Sequence, residues 1–494
     1  MKMKWLLSLT CALLILLIFG QFTASANSRQ AINIDVDLAA VDQYLNAQMR
    51  RHNLKGMAVA ITQGDEVIYL QGFGSAGRGQ PVSPQTPFLI GSVSKSFTAL
   101  AVMQLVDQGL LDLDAPVQQY VPWFTTADRE RSSQITIRHF LNQTSGLSDA
   151  SFRRPFVTEE TTLEETVRHL EGAELTATPG TSFQYFNPNY NVLAQVIEAV
   201  SGKSYAAYMV ENVFTPLEMK HSFVELASAQ QAGMAQGHSA FFGLAIPRRQ
   251  PFYLAELAAG FLISSAEDMA HYTIAQNMAG TFNQTEVLSP QAVTIMHTSP
   301  QDVPGDYAMG WSTHDRNGQR IIRHNGAVET FFADMVLLPD REIGVTLLIN
   351  QNALIPLLLV YEPLSDGLVD VILGQAPSSG MSMRLIYGLL SALVVLDIVR
   401  HGIDLSNIAK WTEKVKDKTK SRVILRISLQ LLLLPAMLIF VTLMMILTAG
   451  INAARITLFY FLPDIALWLL ISASLSIVEA IKKLRWLANK PVTG

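Results

Sequence analysis

The sequence is poor in cysteine, since Cys11 is the only one among its 494 residues. Cys11 lies in an apolar N-terminal stretch with the features of a secretory signal peptide, so the mature chain is expected to have no thiol. This absence excludes a disulfide framework and a cysteine nucleophile. The ten histidines include no His-x-His or His-x-x-x-His pair, and the sequence therefore predicts no metal ligand set and no cofactor.

A large excess of charge is also absent. The formal net charge is −5 at pH 7, with 36 basic and 41 acidic residues, and this gives no reason to expect a nucleic-acid partner. Apolar residues are abundant, at 49% of the chain, and the longest apolar runs lie at its two ends. The ends and the region between them therefore need separate interpretations.

Residues 1–26 have the three parts of a signal peptide. Lys2 and Lys4 precede the apolar run Leu6–Phe19, and Ala24-Ser25-Ala26 is a small-x-small cleavage site. The pattern predicts an export signal that is cut after Ala26, and an uncleaved N-terminal anchor is the alternative. In both cases the polypeptide that follows is exported.

Three apolar runs near the C-terminus predict three transmembrane helices, at about 383–401, 427–449 and 458–480. The second and third exceed the length of about 18 apolar residues that a spanning helix needs, whereas the first is shorter and contains Asp397. Basic residues crowd the connection 400–426 and the tail after the third run. Because basic segments stay in the cytoplasm, this pattern predicts a cytoplasmic loop 400–426 in a multi-pass protein of the bacterial cell membrane.

The same orientation places residues 27–376 outside the cytoplasm as one domain, and a Pro-, Ser- and Gly-rich linker at 377–383 separates this domain from the spans. Its signals, in chain order, are a helix at 36–53, a hairpin turn at 63–65, a helix ending at Gly109, a helix-rich region at about 130–300 with a capped helix start at 265–268, and hairpin turns at 317–318 and 339–340. This order predicts one sheet built from both ends of the domain, with a helical region inserted.

Ser92 and Lys95 form a Ser-x-x-Lys motif at the start of a helix. A serine hydroxyl becomes a good nucleophile when a base removes its proton, and a lysine one helical turn away can serve as that base. The structural alternative is a helix-capping serine followed by a solvated lysine. The tetrapeptide alone does not decide between them.

Two later motifs are Tyr185-Phe186-Asn187 and His324-Asn325-Gly326. A tyrosine can pass a proton to a leaving group. A late polar strand can bind the anionic end of a substrate and complete an oxyanion hole with a backbone N–H. Taken singly, each motif also has a structural interpretation, because Tyr-x-Asn is common in loops and His-Asn-Gly forms turns readily.

Together the motifs resemble the serine β-lactamase and penicillin-binding-protein-like hydrolases, a family with Ser-x-x-Lys, Tyr-x-Asn and a late Lys/His-x-Gly. Flanking segments are similar too, namely ITIRHFLNQTSGL (135–147), GLLDLDAPVQQYVP (109–122), AAGFLISSAEDMAHY (258–272) and YAMGWS (307–312). The resemblance covers nearly all of residues 35–350. It implies an α/β (α+β) β-lactamase/transpeptidase-like fold, with an antiparallel sheet from both ends of the domain and an inserted helical region, followed here by the three-helix transmembrane segment.

The resemblance also implies catalytic roles. Ser92 would form an acyl-enzyme, Lys95 would be its base or proton relay, and Tyr185 would pass the proton to the leaving group. The sequence shows no obvious extra carboxylate motif for activating a deacylating water, which weakens the case for an efficient β-lactamase.

Four further residues would contact the substrate if the resemblance holds. Asn187 would hold the substrate amide, His324 and Gly326 would line the strand beside the substrate, and the N–H of Ala327 would complete the oxyanion hole with that of Ser92. His324 stands where many penicillin-binding enzymes have lysine. A protonated His324 would anchor a substrate carboxylate at low pH, whereas a neutral one would only hydrogen-bond a neighbour.

An exported hydrolase with three C-terminal spans resembles the membrane-anchored branch of the family, with Flp-like proteins and the peptidases that remove an acyl-D-asparagine cap from prodrugs. This implies a D-stereospecific peptidase or amidohydrolase acting on a small peptide, acyl-peptide or envelope substrate. The alternatives are a penicillin-binding protein or weak β-lactamase, an esterase acting on cell-envelope polymers, and a non-turnover β-lactam sensor. The connection 400–426 is too short for an effector domain, which speaks against the sensor.

Overall fold

The computed structural model describes residues 36–150, 152, 158–378, 380–415, 418–425, 427–428 and 461–489. The predicted signal peptide at 1–26 and almost all of the second predicted span at 427–449 lie outside the described residues. Both therefore stay predictions, as does the division of the chain into a separate domain and a transmembrane segment.

Within these residues the helices, numbered α1 to α15, are Leu38–His52, Ser94–Asp107, Arg129–Ser132, Ile137–Leu141, Leu163–Arg168, Pro188–Ser201, Tyr205–Met209, Leu226–Gln231, Ala266–Asn277, Pro290–Met296, Leu354–Pro356, Glu362–Ile372, Met383–Ser406, Ile408–Val415 and Pro463–Ala488. The strands, numbered β1 to β15, are Gly56–Gln63, Glu66–Gly77, Gln80–Pro81, Phe88–Leu89, His238–Phe241, Leu244–Pro247, Ile263–Ser264, Thr281–Phe282, Thr285–Glu286, Tyr307–Ala308, Trp311–Arg316, Gln319–Val328, Phe331–Leu338, Ile343–Ile349 and Gln351–Asn352.

An eight-stranded antiparallel sheet forms the centre of the fold, in the order β10-β11-β12-β13-β14-β1-β2-β3. Strand β1, from the beginning of the domain, pairs with β14, from its end, so that Met57 lies opposite Ile349 and Gln63 lies opposite Ile343. The hairpins β1–β2, β11–β12 and β13–β14 turn at the predicted positions. The prediction of one sheet built from both ends, with a helical region inserted, is confirmed.

Helices cover both faces of this sheet, which explains why β1, β13 and β14 are buried along almost their whole length. On one face, α2, α6 and α9 share an apolar cluster with the sheet, which we call the first core; Phe97 stacks on Tyr272 in it, with ring centroids 3.8 Å apart. On the other face, α1, α12 and the first turns of α13 share the second core, in which Phe332 packs on Tyr361.

Helix α2 lies inside the first core. All its residues from Ser94 to Leu105 are buried, and it ends at Asp107, close to Gly109, which adopts a left-handed φ of 69° as the pattern predicts. A helix buried on all sides needs no polar face. Its N-terminal end follows the turn Gly91–Val93, which packs against β12.

The C-terminal helices only partly match the three predicted spans. Among the described residues, one helix, Pro463–Ala488, is long and apolar enough to cross a membrane. It matches residues 463–480 of the third predicted span, whose first residues, 458–460, lie outside the described part of the chain. The first predicted span falls within α13, which carries Asp397 and Arg400 and does not meet the same standard. A three-helix transmembrane segment is therefore not what the described residues show.

Candidate active site

Ser92 lies in a tight turn, Gly91–Val93, that leads directly into α2. The turn is pressed against β12. A Cβ atom added to Gly326 would lie 2.0 Å from the carbonyl oxygen of Ile90, and one added to Gly91 would lie 2.5 Å from the Ala327 nitrogen. Gly91 also has a φ of 54°, which favours glycine. Both glycines are needed for the strand to approach the serine, and sequence reasoning found only Gly326.

Lys95 follows Ser92 by one helical turn and is completely buried. Its Nζ donates to Ser92 Oγ at 3.0 Å and to the carbonyl oxygen of Ala259 at 2.5 Å. Ala259 belongs to an irregular helical turn at 257–261 that packs on α2. The geometry rules out a solvated lysine, which was the structural alternative for this motif.

Tyr185 reaches the same place from the loop before α6. Lys95 Nζ lies 4.9 Å from the centre of the Tyr185 ring, which in turn meets the Tyr307 ring edge-on at 6.0 Å. The Tyr185 side chain is 39% exposed. A partly open phenol beside a buried lysine is accessible to a substrate and lies close to the Ser92–Lys95 pair.

Asn187 directly precedes α6, which begins at Pro188. Its Oδ1 atom is buried and has no hydrogen-bond partner among the described residues. A buried acceptor without a partner costs free energy, so this atom is suited to an N–H group from outside the chain. Helix α6 also brings the centre of the Tyr190 ring to 5.7 Å from Lys95 Nζ.

Two side chains on the loop after α4 hold this region in place, and sequence reasoning did not identify them as site residues. Gln143 Oε1 accepts from the backbone N–H of Phe186 at 3.1 Å and from Asn189 Nδ2 at 2.6 Å. Asn142 Oδ1 accepts from the backbone N–H of Met309 at 3.1 Å. Both lie in one of the segments that carry the resemblance, and that was their only signal in the sequence.

His324 is buried on β12, where two neighbours fix its protonation. Its Nδ1 lies 2.6 Å from the carbonyl oxygen of Asn325, and its Nε2 lies 3.2 Å from the Tyr307 hydroxyl. A carbonyl only accepts, so Nδ1 carries the proton and Nε2 accepts from Tyr307. Burial, and then the nearby Lys95, lower the pKa of His324 to about 3. The structure therefore favours a neutral histidine over the charged anchor considered from the sequence.

Two backbone nitrogens border the contact between the Ser92 turn and β12. A Cβ atom on Gly326 would lie 2.8 Å from the Ser92 nitrogen, and one on Gly91 would lie 2.5 Å from the Ala327 nitrogen. These are the two amides that the resemblance assigns to an oxyanion hole. Six of the seven predicted residues are linked by the contacts above, and Asn187 follows two residues after Tyr185.

One group of side chains has the types and spacing of metal ligands among the described residues, namely His221, Glu267 and Asp268. His221 Nδ1 lies 3.2 Å from Glu267 Oε2 and 3.7 Å from Asp268 Oδ1. Asp268 Oδ2 already accepts from the backbone N–H of His221 and from the Ser222 hydroxyl, both at 2.7 Å. Since both acids lie in the first turn of α9, where negative charge is stabilised, the group is accounted for as a helix start.

The family model described as Beta-lactamase matches residues 41–359. The protein Flp of Staphylococcus aureus (strain MW2) is 27% identical over 317 residues, and the match covers 63% of this chain and 63% of Flp. The unguisins hydrolase ungD′ of Aspergillus campestris is 26% identical over 338 residues, with 65% and 62% covered. The chain therefore spans less than two thirds of the length of these relatives.

Solved structures agree with the sequence comparison. The octameric penicillin-binding protein homologue from Pyrococcus abyssi superposes with a TM-score of 0.59 at 26% identity, covering 70% of this chain and 79% of that one. SurE with bound D-Leu gives a TM-score of 0.56 at 27% identity, covering 68% and 76%. The match from 41 to 359, together with this fold, shows that the chain belongs to the Beta-lactamase family.

Proposed function

We propose that this hydrolase is membrane-anchored and extracytoplasmic, forms an acyl-enzyme on Ser92, and acts as a D-stereospecific peptidase or amidohydrolase. The observation that carries the proposal is the 3.0 Å contact from Lys95 Nζ to Ser92 Oγ, made by a lysine without solvent exposure. A buried lysine directed at a partly open serine has the arrangement that nucleophile activation requires.

In the proposed acylation, Ser92 Oγ attacks the carbonyl carbon of the scissile amide while its proton moves to Lys95. The carbonyl oxygen becomes an oxyanion, which the N–H groups of Ser92 and Ala327 stabilise. Tyr185 gives a proton to the leaving nitrogen as the C–N bond breaks, and Lys95 returns a proton to Tyr185. The products of this step are a free amine and an ester on Ser92.

Deacylation reverses the proton path. Water attacks the ester carbon and gives one proton to Tyr185, which passes its own proton to Lys95. The C–O bond to Ser92 then breaks, Lys95 returns a proton to Ser92 Oγ, and the carboxylic acid is released. Ser92, Lys95 and Tyr185 already lie together before substrate and water arrive, so these steps need little reorganisation of the protein.

Substrate recognition would rely on hydrogen bonds more than on charge. The unpartnered Asn187 Oδ1 is suited to accept a substrate amide N–H, as a peptide or acyl-peptide would supply. His324 is neutral because its pKa is lowered to about 3, so it contributes no positive charge for a carboxylate. This distinguishes the site from one with lysine at the same position of the strand.

The proposed preference for D-residues is supported by the similar protein SurE, which is solved with D-Leu. The proposed hydrolase activity is supported by a relative that is named as a hydrolase of unguisins. Membrane anchoring is supported by the apolar helix Pro463–Ala488 and by the basic residues between the predicted spans. The full three-span topology, with the catalytic domain outside and the loop 400–426 inside, belongs to this proposal.

The test is a substrate panel for the full-length protein in detergent. An N-acyl-D-Asn peptide, its L-isomer, a D-alanyl ester and a fluorescent penicillin are each followed by mass spectrometry, with Ser92→Ala as the inactive reference. We expect turnover of the D-peptide well above that of its L-isomer. Equal turnover of both isomers would refute the stereochemical proposal. Preference for the ester would favour the esterase, and stoichiometric labelling by penicillin without any turnover would favour the sensor.

A further inference from the structure

The hairpin β5–β6 reaches the beginnings of two C-terminal helices, α13 and α15. A Cβ atom on Gly243, at the hairpin tip, would lie 3.2 Å from the Tyr387 side chain of α13. The backbone of Phe242 lies beside the carboxylate of Asp464, in the first turn of α15. Asn53 Nδ2 fixes the tip to the end of α1 by donating to the Gly243 carbonyl at 2.9 Å. The two helices therefore begin against the catalytic domain.

Helix α13 is held by the domain from its first residue. Met383 and Tyr387 are buried in the second core, and the Met383 N–H donates to His52 Nδ1 at 3.2 Å. Just before the helix, the Gly380 carbonyl accepts from the Arg51 guanidinium at 2.6 Å. These contacts attach the start of α13 directly to the domain. The domain therefore keeps a fixed distance from the environment of that helix.

Four exposed apolar side chains surround this junction, and we call them the apolar collar: Leu244 (59% exposed), Ile246 (37%), Leu358 (65%) and Met381 (52%). Leu244 and Ile246 lie two apart on β6 and share one face of the strand.

Three of the four collar residues adjoin the start of α13. Leu244 directly follows the glycine that faces Tyr387. Leu358 belongs to the turn Leu357–Tyr361, where the Leu359 carbonyl would lie 3.3 Å from a Cβ on Gly380. Met381 comes two residues before the helix.

The exposed apolar surface does not stop at the collar. It continues along α13 through Leu385, Leu389 and Leu393, which are all largely exposed. Single exposed leucines are ordinary on a protein surface, but an exposed apolar cluster followed along the adjoining helix by exposed leucines every four residues indicates an apolar surrounding. A lipid bilayer around α13 would cover this helix flank and its base together.

We propose that the apolar collar inserts among the lipids of the bilayer that α13 and α15 enter, so that the catalytic domain rests on the membrane surface. This inference depends on the membrane anchoring proposed above and adds to it a contact between the collar and the lipids, which we call the seat of the domain. This contact would also orient the candidate active site relative to the bilayer, because β12, which carries Gly326, is linked to the hairpin β5–β6. The Val328 carbonyl, at the end of β12 that follows Gly326, accepts from Asn352 Nδ2 at 2.7 Å, and β15, which carries Asn352, pairs with β5 of the hairpin.

The experiment uses the full-length protein with Cys11→Ser, because this leaves no other cysteine. Single cysteines are introduced as Leu244→Cys and Leu358→Cys in the collar, Leu393→Cys on α13, and Leu110→Cys as a matched exposed leucine at the far end of α2. Each is labelled with a bimane fluorophore and reconstituted in phosphatidylcholine vesicles. Quenching by a nitroxide-bearing lipid is compared with quenching by aqueous iodide.

We expect the labels at 244 and 358 to lose fluorescence with the nitroxide lipid, as the label at 393 does, while the label at 110 responds only to iodide. If 244 and 358 behave like 110 while 393 is quenched by the lipid, the seat is wrong and the anchoring stands. If 393 is not quenched by the lipid, the anchoring fails and the seat fails with it. Collar labels shielded from both quenchers would mean that protein, such as a second copy, covers the collar, and would also overturn the proposal.

Discussion

The two faces of the central sheet are packed in different ways. The first core contains buried polar groups held in fixed contacts, among them Lys95, Asn142 and Gln143. The second core packs an apolar cluster against the sheet, with the buried ion pair Arg323–Asp334 beside it, and continues into α13. Buried polar groups are costly unless they are hydrogen-bonded, so the first face gives up stability for chemistry. The second face supplies stability and the attachment of the C-terminal helices.

This contrast has a direct consequence for mutations. A change among the polar groups of the first core should reduce activity with limited loss of stability, because little apolar area is removed. A change on the second face should reduce stability while the folded fraction remains active. Substitutions on the two faces can therefore confirm or break this division.

The largest effect is expected for Lys95→Met, which keeps the length of the side chain and removes its nitrogen. We expect turnover to fall by about four orders of magnitude or more, as for loss of one member of a catalytic unit. The melting temperature should change little because the volume is conserved. The measurements are kcat and a thermal melt. Activity within tenfold of the wild type would contradict the role given to Lys95.

On the second face, Arg323→Met should have the largest effect on stability. The Arg323 guanidinium bonds the buried Asp334 carboxylate at 2.6 Å and Asp366 of α12 at 2.9 Å. Its loss leaves Asp334 buried without this partner, which costs about 3–5 kcal/mol. Urea unfolding gives the free energy, and activity per folded molecule should be unchanged.

Arg138→Met is the matched control for that measurement. Arg138 pairs with Asp114 in an exposed position, where such a pair contributes about 0–1 kcal/mol. Equal destabilisation by the two substitutions would show that burial of the Arg323 pair is not what matters.

Gly326→Ala should affect both properties. The added methyl group meets the Ile90 carbonyl at 2.0 Å, so β12 must move away from the Ser92 turn. We expect a loss of about 1–3 kcal/mol in stability and of about a hundredfold in turnover, because an oxyanion donor is displaced. Gly172→Ala, at a glycine with no atom within 4 Å of the new Cβ, should leave both properties unchanged. An active Gly326→Ala protein would show that the close approach is dispensable.

Acid should destabilise the protein through buried histidines of the first core. Burial lowers the pKa of His297 to about 3, with a smaller contribution from Arg320, and the pKa of His324 is also about 3. The unfolded histidines bind protons below about pH 6.5 and the folded ones do not. Stability is therefore complete above pH 6.5 and declines as the pH falls toward 3, by about 1–2 kcal/mol per histidine at pH 5. Urea unfolding at pH 7 and 5 measures this, and equal stability at both would contradict it.

The smallest effect concerns KM. Because the pKa of His324 is about 3, its charge does not change between pH 5.5 and 8.5. The ratio of KM for a carboxylate-bearing substrate between the wild type and His324→Gln should therefore be constant across this range. An inflection of the ratio near pH 6.5 would restore the charged-anchor interpretation.

Much of the fold could be predicted because the turns have strong local signals. The pair Asn317-Gly318 has positive φ at both residues, 54° and 77°, as a type I′ hairpin requires. Pairing of β1 with β14 was accessible only through the order of strand and helix signals, since no local pattern records which distant strands meet. The sequence of α13 also did not predict its packing, because an apolar run does not reveal that its first turns belong to a domain core.

In the site, residues that belong to short motifs could be proposed, while those that act through space could not. Gly91 differs from other glycines only in what lies opposite it in space, and Tyr307 matters because the fold places its hydroxyl on His324. The protonation of His324 was open for the same reason. Its pKa depends on burial and on Lys95, which is far away in the sequence.

The central claim is that Ser92 is the nucleophile, and peptide mapping of the acyl-enzyme tests it most directly. The protein is trapped with a fluorescent penicillin or a slow D-peptide substrate, digested, and the modified residue is identified by mass spectrometry. The account predicts one adduct on the peptide that contains Ser92, and no adduct and no turnover in the Ser92→Ala protein. An adduct on another residue, or a Ser92→Ala protein that hydrolyses substrate at the wild-type rate, would contradict it.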